Sequence, residues 1–262
     1  TQKGDGWHLM TRAEWAAIAL WCKANGCLPK GNNNYGKDAS EGGYKAIPAP
    51  GVNDSGRTAR VLTGTGPVSW SHDGTLEGIW DLNGNIWEWN GGSRTVKGEL
   101  QVLVNNNAAD LDHSQAASSA QWKAIDATTG AYITPNGSGT TANSIKLDWV
   151  SGKITYSATI TTQADASRDC AFASVTCASS VSAAAQAVLK ALAFLPASAT
   201  ASEYEDDHMW MNNGADERAF YSGGSWYGGA DAGLFALSGN NPRSGSGWSL
   251  GFRSAYVDLP TE

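Results

Sequence analysis

Residues 222–255 read SGGSWYGGADAGLFALSGNNPRSGSGWSLGFRSA, a stretch dominated by Gly, Ser, Asn and Asp. Apolar residues recur at intervals within it: Trp226, Leu234, Phe235, Leu237, Trp248 and Phe252. Regular apolar positions are typical of a packed scaffold, because a flexible linker has no core for such side chains to contact. We therefore predict that these six side chains anchor the segment. The small and polar residues between them then lie where packing does not decide their identity.

The composition of the 262-residue chain limits the structural classes and the kinds of partner that are compatible with it. Hydrophobic residues make up 41% of it and 12 residues are Trp, so one large domain or two small ones can bury a sizeable core. The formal net charge is −7, which does not match the basic surface of a nucleic-acid-binding protein. No apolar run reaches the length of about 18 residues that a membrane-spanning helix needs, so we expect no membrane insertion. The start, TQKGDGWHLM, lacks an initiator Met and a signal-like apolar run, which indicates a fragment or a trimmed chain.

Hydrophobic periodicity predicts two helices. Thr11 and Glu14 have the spacing of a capping box and precede an apolar run with a helical period. This pattern predicts a helix over about 11–25, which Gly26 ends. A second Ala-rich apolar run predicts a helix over about 180–195.

Strand signals are concentrated in the middle of the chain. Residues 99–104 (ELQVLV) alternate in the manner of a strand. The runs IKLDWV and KITYSATI flank the dipeptide Ser151-Gly152, which predicts a β-hairpin. Residues 105–144 are rich in Ala, Ser, Thr and Gly with weak periodicity, and we predict that they form a surface insertion without a core of their own.

The chain contains four cysteines with irregular spacing: Cys22, Cys27, Cys170 and Cys177. The C-x4-C and C-x6-C intervals are loose for the ligand pairs of a zinc site. Buried free thiols, local disulfides and a zinc site are all compatible with these positions, and the first two fit the spacing better.

Three segments follow one another in a recognisable order: GWHLMTRAEWAAIALWCKANG at 6–26, GIWDLNGNIWEWNGG at 78–92, and GGSW…NNPRS…GWSLGFRSA at 223–255. This order resembles the C-type-lectin-like fold of the formylglycine-generating enzyme and sulfatase-modifying-factor superfamily. In that superfamily a GNVWEW-like element and a terminal GGSW…GFR element frame the domain. The resemblance covers nearly the whole chain and is weakest over about 95–200.

The resemblance implies a single α+β domain over 1–262 with the C-type-lectin-like fold of the formylglycine-generating-enzyme type. It implies much irregular backbone, an insertion over about 95–200 and a variable segment over about 222–255. We expect residues 1–94 and 200–258 to share a core around the Trp residues. The first and last elements should then contact each other, since neither has enough apolar surface alone.

Within this superfamily the chain most resembles the variable proteins of diversity-generating retroelements. Their carboxyl-terminal segment is rewritten by adenine-directed mutagenic retrotransposition, so AAC codons become NNC codons. Such codons encode Tyr, Gly, Asp, Ser and Asn but exclude Lys, Glu, Gln, Met and Trp. By this resemblance the varied, ligand-binding positions are Ser225, Tyr227, Gly228, Asp231, Ser238, Asn240, Asn241, Gly245, Gly247 and Ser249.

The resemblance implies a protein that displays a changeable binding surface, used for phage receptor binding or bacterial surface recognition. Its partner would be a macromolecular or cell-surface ligand, and its location a phage virion or a bacterial cell surface. Tyr227 is the only aromatic residue among the varied positions. Tyr supplies large contact area at low entropic cost, so Tyr227 is the strongest candidate contact. The alternative is a non-enzymatic or degenerate formylglycine-generating-enzyme-like domain with a fixed ligand.

An enzymatic function is the rival class, and the residues do not support it. The resembling enzymes act through a cysteine pair in the terminal element, whereas 222–255 contains no cysteine. The four histidines are scattered without a nucleophile motif or a metal-ligand spacing: His8, His72, His113 and His208. We therefore expect a non-enzymatic protein that requires no cofactor.

The turn WDLNGNIWEW suggests one metal site. In the resembling enzymes a matching turn binds calcium, and residue by residue this implies the Asp81 side chain, the carbonyl groups of Gly84 and Ile86, and Glu88. Calcium prefers such carboxylate and carbonyl oxygens. The alternative is that Glu88 forms an internal ion pair and that the neighbouring aromatic residues belong to the core.

Overall fold

A computed structural model describes residues 4–258, which contain two α-helices and sixteen strands. The helices are α1 (Arg12–Asn25) and α2 (Ala183–Ala191). The strands in chain order are β1 (Trp7–Leu9), β2 (Asn53–Asp54), β3 (Arg57–Thr58), β4 (Trp87–Val96), β5 (Glu99–Val102), β6 (Lys123–Ile125), β7 (Tyr132–Ile133), β8 (Lys146–Val150), β9 (Lys153–Ser157), β10 (Arg168–Ala171), β11 (Thr176–Cys177), β12 (His208–Met211), β13 (Arg218–Ser222), β14 (Leu237–Asn241), β15 (Leu250–Phe252) and β16 (Ser254–Tyr256). Short 3-10 segments lie at Val68–Trp70, Val104–Ala109, Phe172–Ser174, Ala201–Glu203 and Gly229–Asp231.

Helix α1 begins and ends where its capping residues predict. The Thr11 side chain accepts a hydrogen bond from the Glu14 amide, and the Glu14 carboxylate accepts one from the Thr11 amide. Gly26 ends the helix in the left-handed conformation at φ 65°. Trp15 is buried on the inner face, and its indole donates to the Leu234 carbonyl oxygen at 2.9 Å. The predicted helix is confirmed, and it is joined to the terminal segment.

Helix α2 is shorter than its Ala-rich sequence predicts. Ser182 caps its start by accepting a hydrogen bond from the Ala185 amide. Ala193 has a left-handed φ of 49°, and the Phe194 amide donates back to the Leu189 carbonyl. The helix therefore ends before the predicted 195. No helix within residues 4–258 is long and apolar enough to cross a membrane.

One mixed sheet of twelve strands dominates the fold. Its main path runs β10-β12-β14-β13-β4-β5-β8-β9-β11, with β15 beside β4 and the pair β6-β7 beside β5. The pairs β12-β14, β9-β11 and β4-β15 are parallel, and the other pairs are antiparallel. The predicted α+β class is confirmed at this level.

The two motif segments of the sequence meet at β4. The first half of β4 lies between β13 and β15, so that Trp89 is opposite both Tyr221 and Phe252. The turn before β4 is bonded to the start of the terminal segment, because the Gly84 amide donates to the Gly223 carbonyl at 2.7 Å. Outside the large sheet, β1 pairs with β16. The expected contact between the first and last elements is confirmed.

The central hairpin is also confirmed. Strands β8 and β9 pair in antiparallel register from Lys146↔Ser157 to Val150↔Lys153. Ser151 and Gly152 both have positive φ, 52° and 77°, as a two-residue hairpin turn of the primed type requires. The strand predicted over 99–104 is β5, which ends at Val102, and a 3-10 segment begins at Val104.

Residues 95–200 contribute far more to the core than predicted. Leu100, Ile154 and Phe172 are buried in the main hydrophobic cluster together with residues of α1 and the terminal segment. The prediction that 105–144 only covers the surface is wrong for Trp122 and Ile125, which are 2% and 0% exposed. Isolated apolar residues among Ala and Ser gave no period, yet β6 places them on the sheet because it pairs with β5.

Four of the six predicted anchors of the terminal segment are buried: Trp226, Leu234, Phe235 and Leu237. The prediction is wrong for Trp248 and Phe252, which are 55% and 69% exposed. Trp248 packs edge-on against Trp226 from the solvent side, with ring centroids 5.2 Å apart. Phe252 lies on β15, whose only strand partner in the described part of the chain is β4.

Replacing Phe235 with Ala should lower the free energy of unfolding by about 3–5 kcal/mol, because the buried ring would leave a cavity. Phe235 packs against Phe172 and Tyr204, with ring centroids 5.4 Å and 4.9 Å apart. Trp248→Ala should cost less than about 1 kcal/mol, as for other largely exposed side chains. Urea denaturation followed by circular dichroism measures both. Equal losses for the two variants would contradict the placement of Trp248 outside the core.

Candidate functional site

An open cavity of about 400 Å³ lies where β4, β12, β13 and β14 meet the loop that follows β13. Adjacent strands place its side chains together, since Ser238 on β14 is opposite both Trp210 on β12 and Tyr221 on β13. The lining residues are Trp87, Ser167, Trp210, Tyr221, Ser225, Tyr227, Gly228, Asp231, Ala232, Ser238 and Asn240.

Three aromatic rings form one side of this cavity. The Trp87 ring meets Trp210 edge-on at 5.4 Å between centroids and meets Tyr221 edge-on at 4.8 Å. Edge-to-face contacts of this kind are favourable and hold the rings in fixed orientations. Burial raises the pKa of Tyr221, although a hydrogen bond with Ser238 opposes the shift. All three rings lie outside residues 222–255, the segment that the resemblance predicts to vary.

Six of the ten positions predicted to bind ligand line this single cavity: Ser225, Tyr227, Gly228, Asp231, Ser238 and Asn240. They come from three separate places, namely the loop after β13, the following 3-10 segment and β14. Their convergence was not visible in the sequence, because a loop of small residues has no periodicity that assigns a direction to each side chain.

These six positions differ in their freedom to vary. Tyr227 is half exposed, whereas Ser225 and Ser238 are 0% and 2% exposed. The expectation that packing does not decide the residue at the varied positions is therefore wrong for Ser238, and Ser225 is buried as well. A Cβ on Gly228 would lie 2.8 Å from the Ala232 Cβ, so a larger residue there must shift the backbone. Large side chains are accommodated best at Tyr227, Asp231 and Asn240.

The other four predicted positions lie outside the cavity: Asn241, Gly245, Gly247 and Ser249. Asn241 ends β14, and the other three follow it in the loop that leads to β15. Ser249 approaches the cavity rim, because its hydroxyl lies 3.4 Å from the Tyr227 hydroxyl. This loop extends the surface beside the cavity rather than its interior.

Two polar atoms of the cavity residues lack partners. The Ser225 hydroxyl and the Asn240 Oδ1 atom are buried with no hydrogen-bond partner among the described residues. Asn240 is held in place through its Nδ2, which donates to the Ser167 hydroxyl at 2.6 Å. Buried polar atoms without partners are costly and rare in native proteins. A ligand with a hydrogen-bond donor and acceptor would satisfy both.

The sequence did not predict a cluster of one histidine and two carboxylates beside the cavity. His208 lies between two carboxylates, with Nδ1 at 2.9 Å from Asp169 and Nε2 at 3.7 Å from Asp231. Its ring also packs against Trp210, 5.7 Å between centroids. The alternation in HMWM could have placed His208 and Trp210 on one face of a strand. Met209 and Met211 are buried, while His208 and Trp210 face the opposite side of β12.

The predicted calcium turn has a different arrangement from a calcium cage. Arg253 donates from Nε and Nη2 to the two carboxylate oxygens of Glu88, each at 2.7 Å. Asp81 is buried with a φ of 60°, and its Oδ2 atom has no hydrogen-bond partner within residues 4–258. The Gly84 amide is bonded to the terminal segment.

The predicted calcium ligands, which include the Gly84 and Ile86 carbonyls, do not fit a calcium ion well. Arg253 already neutralises Glu88, and its guanidinium would repel a cation at this place. The part of the chain that the structure describes holds no group of three or more His, Cys, Asp or Glu residues arranged for a metal. The alternative reading, an internal ion pair of Glu88, agrees with these contacts. Calcium at the turn stays a prediction.

The four cysteines are free thiols, and none of them lines the cavity. Burial is the main cause that raises the pKa of Cys22 to about 12 and that of Cys177 to about 11. Burial also raises the pKa of Cys170. A reactive cysteine needs a lowered pKa and access to solvent, so these thiols have the properties of structural residues.

No protein-family model matches the chain, and no curated protein shows significant similarity to it. The functional conclusions therefore rest on the geometry of the residues themselves.

Asp81→Asn should stabilise the metal-free protein at pH 7.5. Burial raises the pKa of Asp81 to about 6, against a smaller opposing effect of Thr63 and Arg253. A carboxyl whose folded-state pKa is raised contributes stability at low pH that is lost as pH rises from about 4 to 6. Asn has no carboxyl group to ionise, so the variant avoids this loss, which is up to about 3 kcal/mol in the free energy of unfolding. Asn also tolerates the left-handed backbone at this position.

Thermal melts of wild type and variant at pH 4 and pH 7.5, with chelator, measure the difference. The gap in Tm should be small at pH 4 and favour the variant at pH 7.5. Calcium binding at the turn predicts the opposite pattern: added calcium would raise the Tm of wild type and leave Asp81→Asn unchanged.

Proposed function

We propose that this chain is a ligand-binding variable protein of a diversity-generating retroelement, and that the cavity described above is its binding site. The observation that carries the proposal is the convergence of Ser225, Tyr227, Gly228, Asp231, Ser238 and Asn240 on one cavity. Codon type and the resemblance predict these positions without reference to their spatial arrangement.

We also propose the C-type-lectin-like fold of the formylglycine-generating-enzyme type, over a single domain of residues 1–262. Two features of the topology support it. The two motif segments pair directly through β4 and β15, and β1 pairs with β16. The low helix content and the many positive-φ residues agree with the irregular backbone of that fold.

The proposed activity is binding and not catalysis, and it requires no cofactor. Burial raises the pKa of Cys22, Cys170 and Cys177, which is opposite to the activation that thiol chemistry needs. The Asp169–His208–Asp231 group has a base but no adjacent nucleophile among its described hydrogen bonds.

The proposed partner is a macromolecular or cell-surface ligand, met on a phage virion or a bacterial surface. The composition of the rim supports this choice. Half-exposed Tyr227 and Trp248 stand beside small polar residues, a combination that antibody-like binding sites use for large contact area and adaptable hydrogen bonds. The net charge of −7 argues against a nucleic acid partner.

The alternative is a superfamily member with a fixed ligand, and one observation favours it. Trp87, Trp210 and Tyr221 lie outside the segment proposed to vary, so much of the cavity wall is constant. The neighbouring DNA discriminates between the two functions. A near-repeat of the codons for 222–255 that differs at adenines, beside a reverse transcriptase gene, supports the variable protein.

A pool with NNC codons at the eight varied positions other than Ser225 and Ser238 should consist mostly of folded proteins. These eight residues are partly or largely exposed, and substitutions at such sites usually change stability by less than about 0.5 kcal/mol. Gly228 is the expected exception because of its contact with Ala232. Yeast display with a conformation-sensitive tag measures folding, and selection against several unrelated proteins measures binding.

A control pool with NNC codons at Leu234, Phe235 and Leu237 should be mostly misfolded, since these side chains are buried. The proposal fails if the eight-position pool misfolds as widely as the control. It also fails if folded members of that pool recognise none of the targets.

A further inference from the structure

A second cavity, of about 220 Å³, lies on the other side of Tyr221 from the first. The Trp87 and Trp89 rings both contact the Tyr221 ring, and the Trp89 and Tyr221 ring centroids are 5.2 Å apart. Trp87 lines the first cavity and Trp89 lines the second. None of the ten varied positions, all within the described residues, lines this second cavity. Its composition is therefore independent of the proposed diversification.

The walls of the second cavity are largely aromatic. Trp89 comes from β4 and Phe252 from β15, Trp122 lies directly before β6, and Leu9 adds an aliphatic side chain. Trp122 is fixed in place, since its indole donates to the Ala116 carbonyl at 2.9 Å and the Arg94 guanidinium lies 4.3 Å from its ring. Rings from separate elements around a small volume suit a flat, apolar group.

Two polar groups of this cavity are buried without partners. The Ser93 hydroxyl and the Asn90 side-chain amide nitrogen have no hydrogen-bond partner in the part of the chain described. Both residues line the cavity and are 3% and 5% exposed. The Asn90 amide nitrogen can only donate and the Ser93 hydroxyl can donate, so one hydrogen-bond acceptor group on a ligand would satisfy both.

The charge beside the cavity is positive. Arg94 and Arg243 both donate to Glu217, at 2.8 Å from each, so two cations share one carboxylate. Burial raises the pKa of Glu217, but the two arginines outweigh that effect and lower it, so it is ionised at neutral pH. Arg243 lines the cavity and leaves one positive charge uncompensated at its mouth.

We propose that this second cavity binds a small aromatic carboxylate, a single or fused ring bearing one carboxylate group. The ring lies between Trp89, Trp122 and Phe252, and the carboxylate oxygens accept from Ser93, Asn90 and the Arg243 guanidinium. This assignment explains three features together: the exposed Phe252, the unpaired buried donors and the excess positive charge. It also gives the 105–144 segment a role, because that segment supplies Trp122 and Gln115 to the site.

Isothermal titration calorimetry with benzoate and indole-3-carboxylate tests the proposal on the full chain. Saturable binding is expected for both, while the neutral isostere benzamide and the non-aromatic acetate should bind at least tenfold more weakly. Arg243→Gln should weaken indole-3-carboxylate binding about tenfold, as for loss of a charge-assisted hydrogen bond. Ser93→Val, which removes the hydroxyl and fills space, should weaken it further.

Two control variants separate this site from its surroundings. Arg218→Gln removes a guanidinium that pairs with Asp165 outside the cavity, and Tyr227→Ala alters the first cavity. Both should leave indole-3-carboxylate binding unchanged. The proposal is overturned if neither aromatic carboxylate binds, or if Arg243→Gln, a half-exposed and readily folded variant, binds as wild type does. Binding that Tyr227→Ala abolishes would place the ligand in the first cavity and overturn it as well.

Discussion

The Arg12 guanidinium links α1 to the end of α2 and to β13, and through Ser222 to β4. It is 2% exposed and donates to the carbonyl oxygens of Leu192 and Ala193 at the end of α2, and to the Ser222 hydroxyl on β13. Ser222 donates in turn to Asn90 on β4. No carboxylate pairs with Arg12 among the described residues. The negative end of the α2 dipole therefore stabilises this buried charge.

This interaction explains why the middle of the chain cannot be a passive insertion. Burial lowers the pKa of Arg12 to about 9, which shows how strongly the surroundings oppose its charge. Without α2, a guanidinium on the first helix would be buried with too few acceptors, a costly arrangement. The segment that contains α2 is thus required by the first helix, α1. Both cavities lie beside β4 and β13, the two strands that this network holds together.

Elements that depend on residues close together in the sequence could be predicted, whereas features that depend on distant residues could not. Helix α1 and the β8-β9 hairpin depend on near neighbours, such as the Thr11–Glu14 capping box and the Ser151-Gly152 turn, and both were predictable. The exposure of Trp248 was not, because it depends on Trp226 already occupying the interior. The cavities combine residues more than a hundred positions apart, such as Trp87 with Ser238, and no local pattern links such pairs.

The pairing of β1 with β16 has a mechanical consequence. The strands are antiparallel with Trp7 opposite Tyr256 and Leu9 opposite Ser254, so the outer ends of both strands leave the fold on the same side. A pulling force applied through those two ends therefore separates the strands one residue pair at a time, as a zipper opens. Such loading meets little resistance at any moment, whereas shearing a sheet breaks several hydrogen bonds together. Tension on the molecule would therefore open the Trp7–Tyr256 pair first, and it would reach Leu9, a wall residue of the second cavity, only at the last of the three pairs.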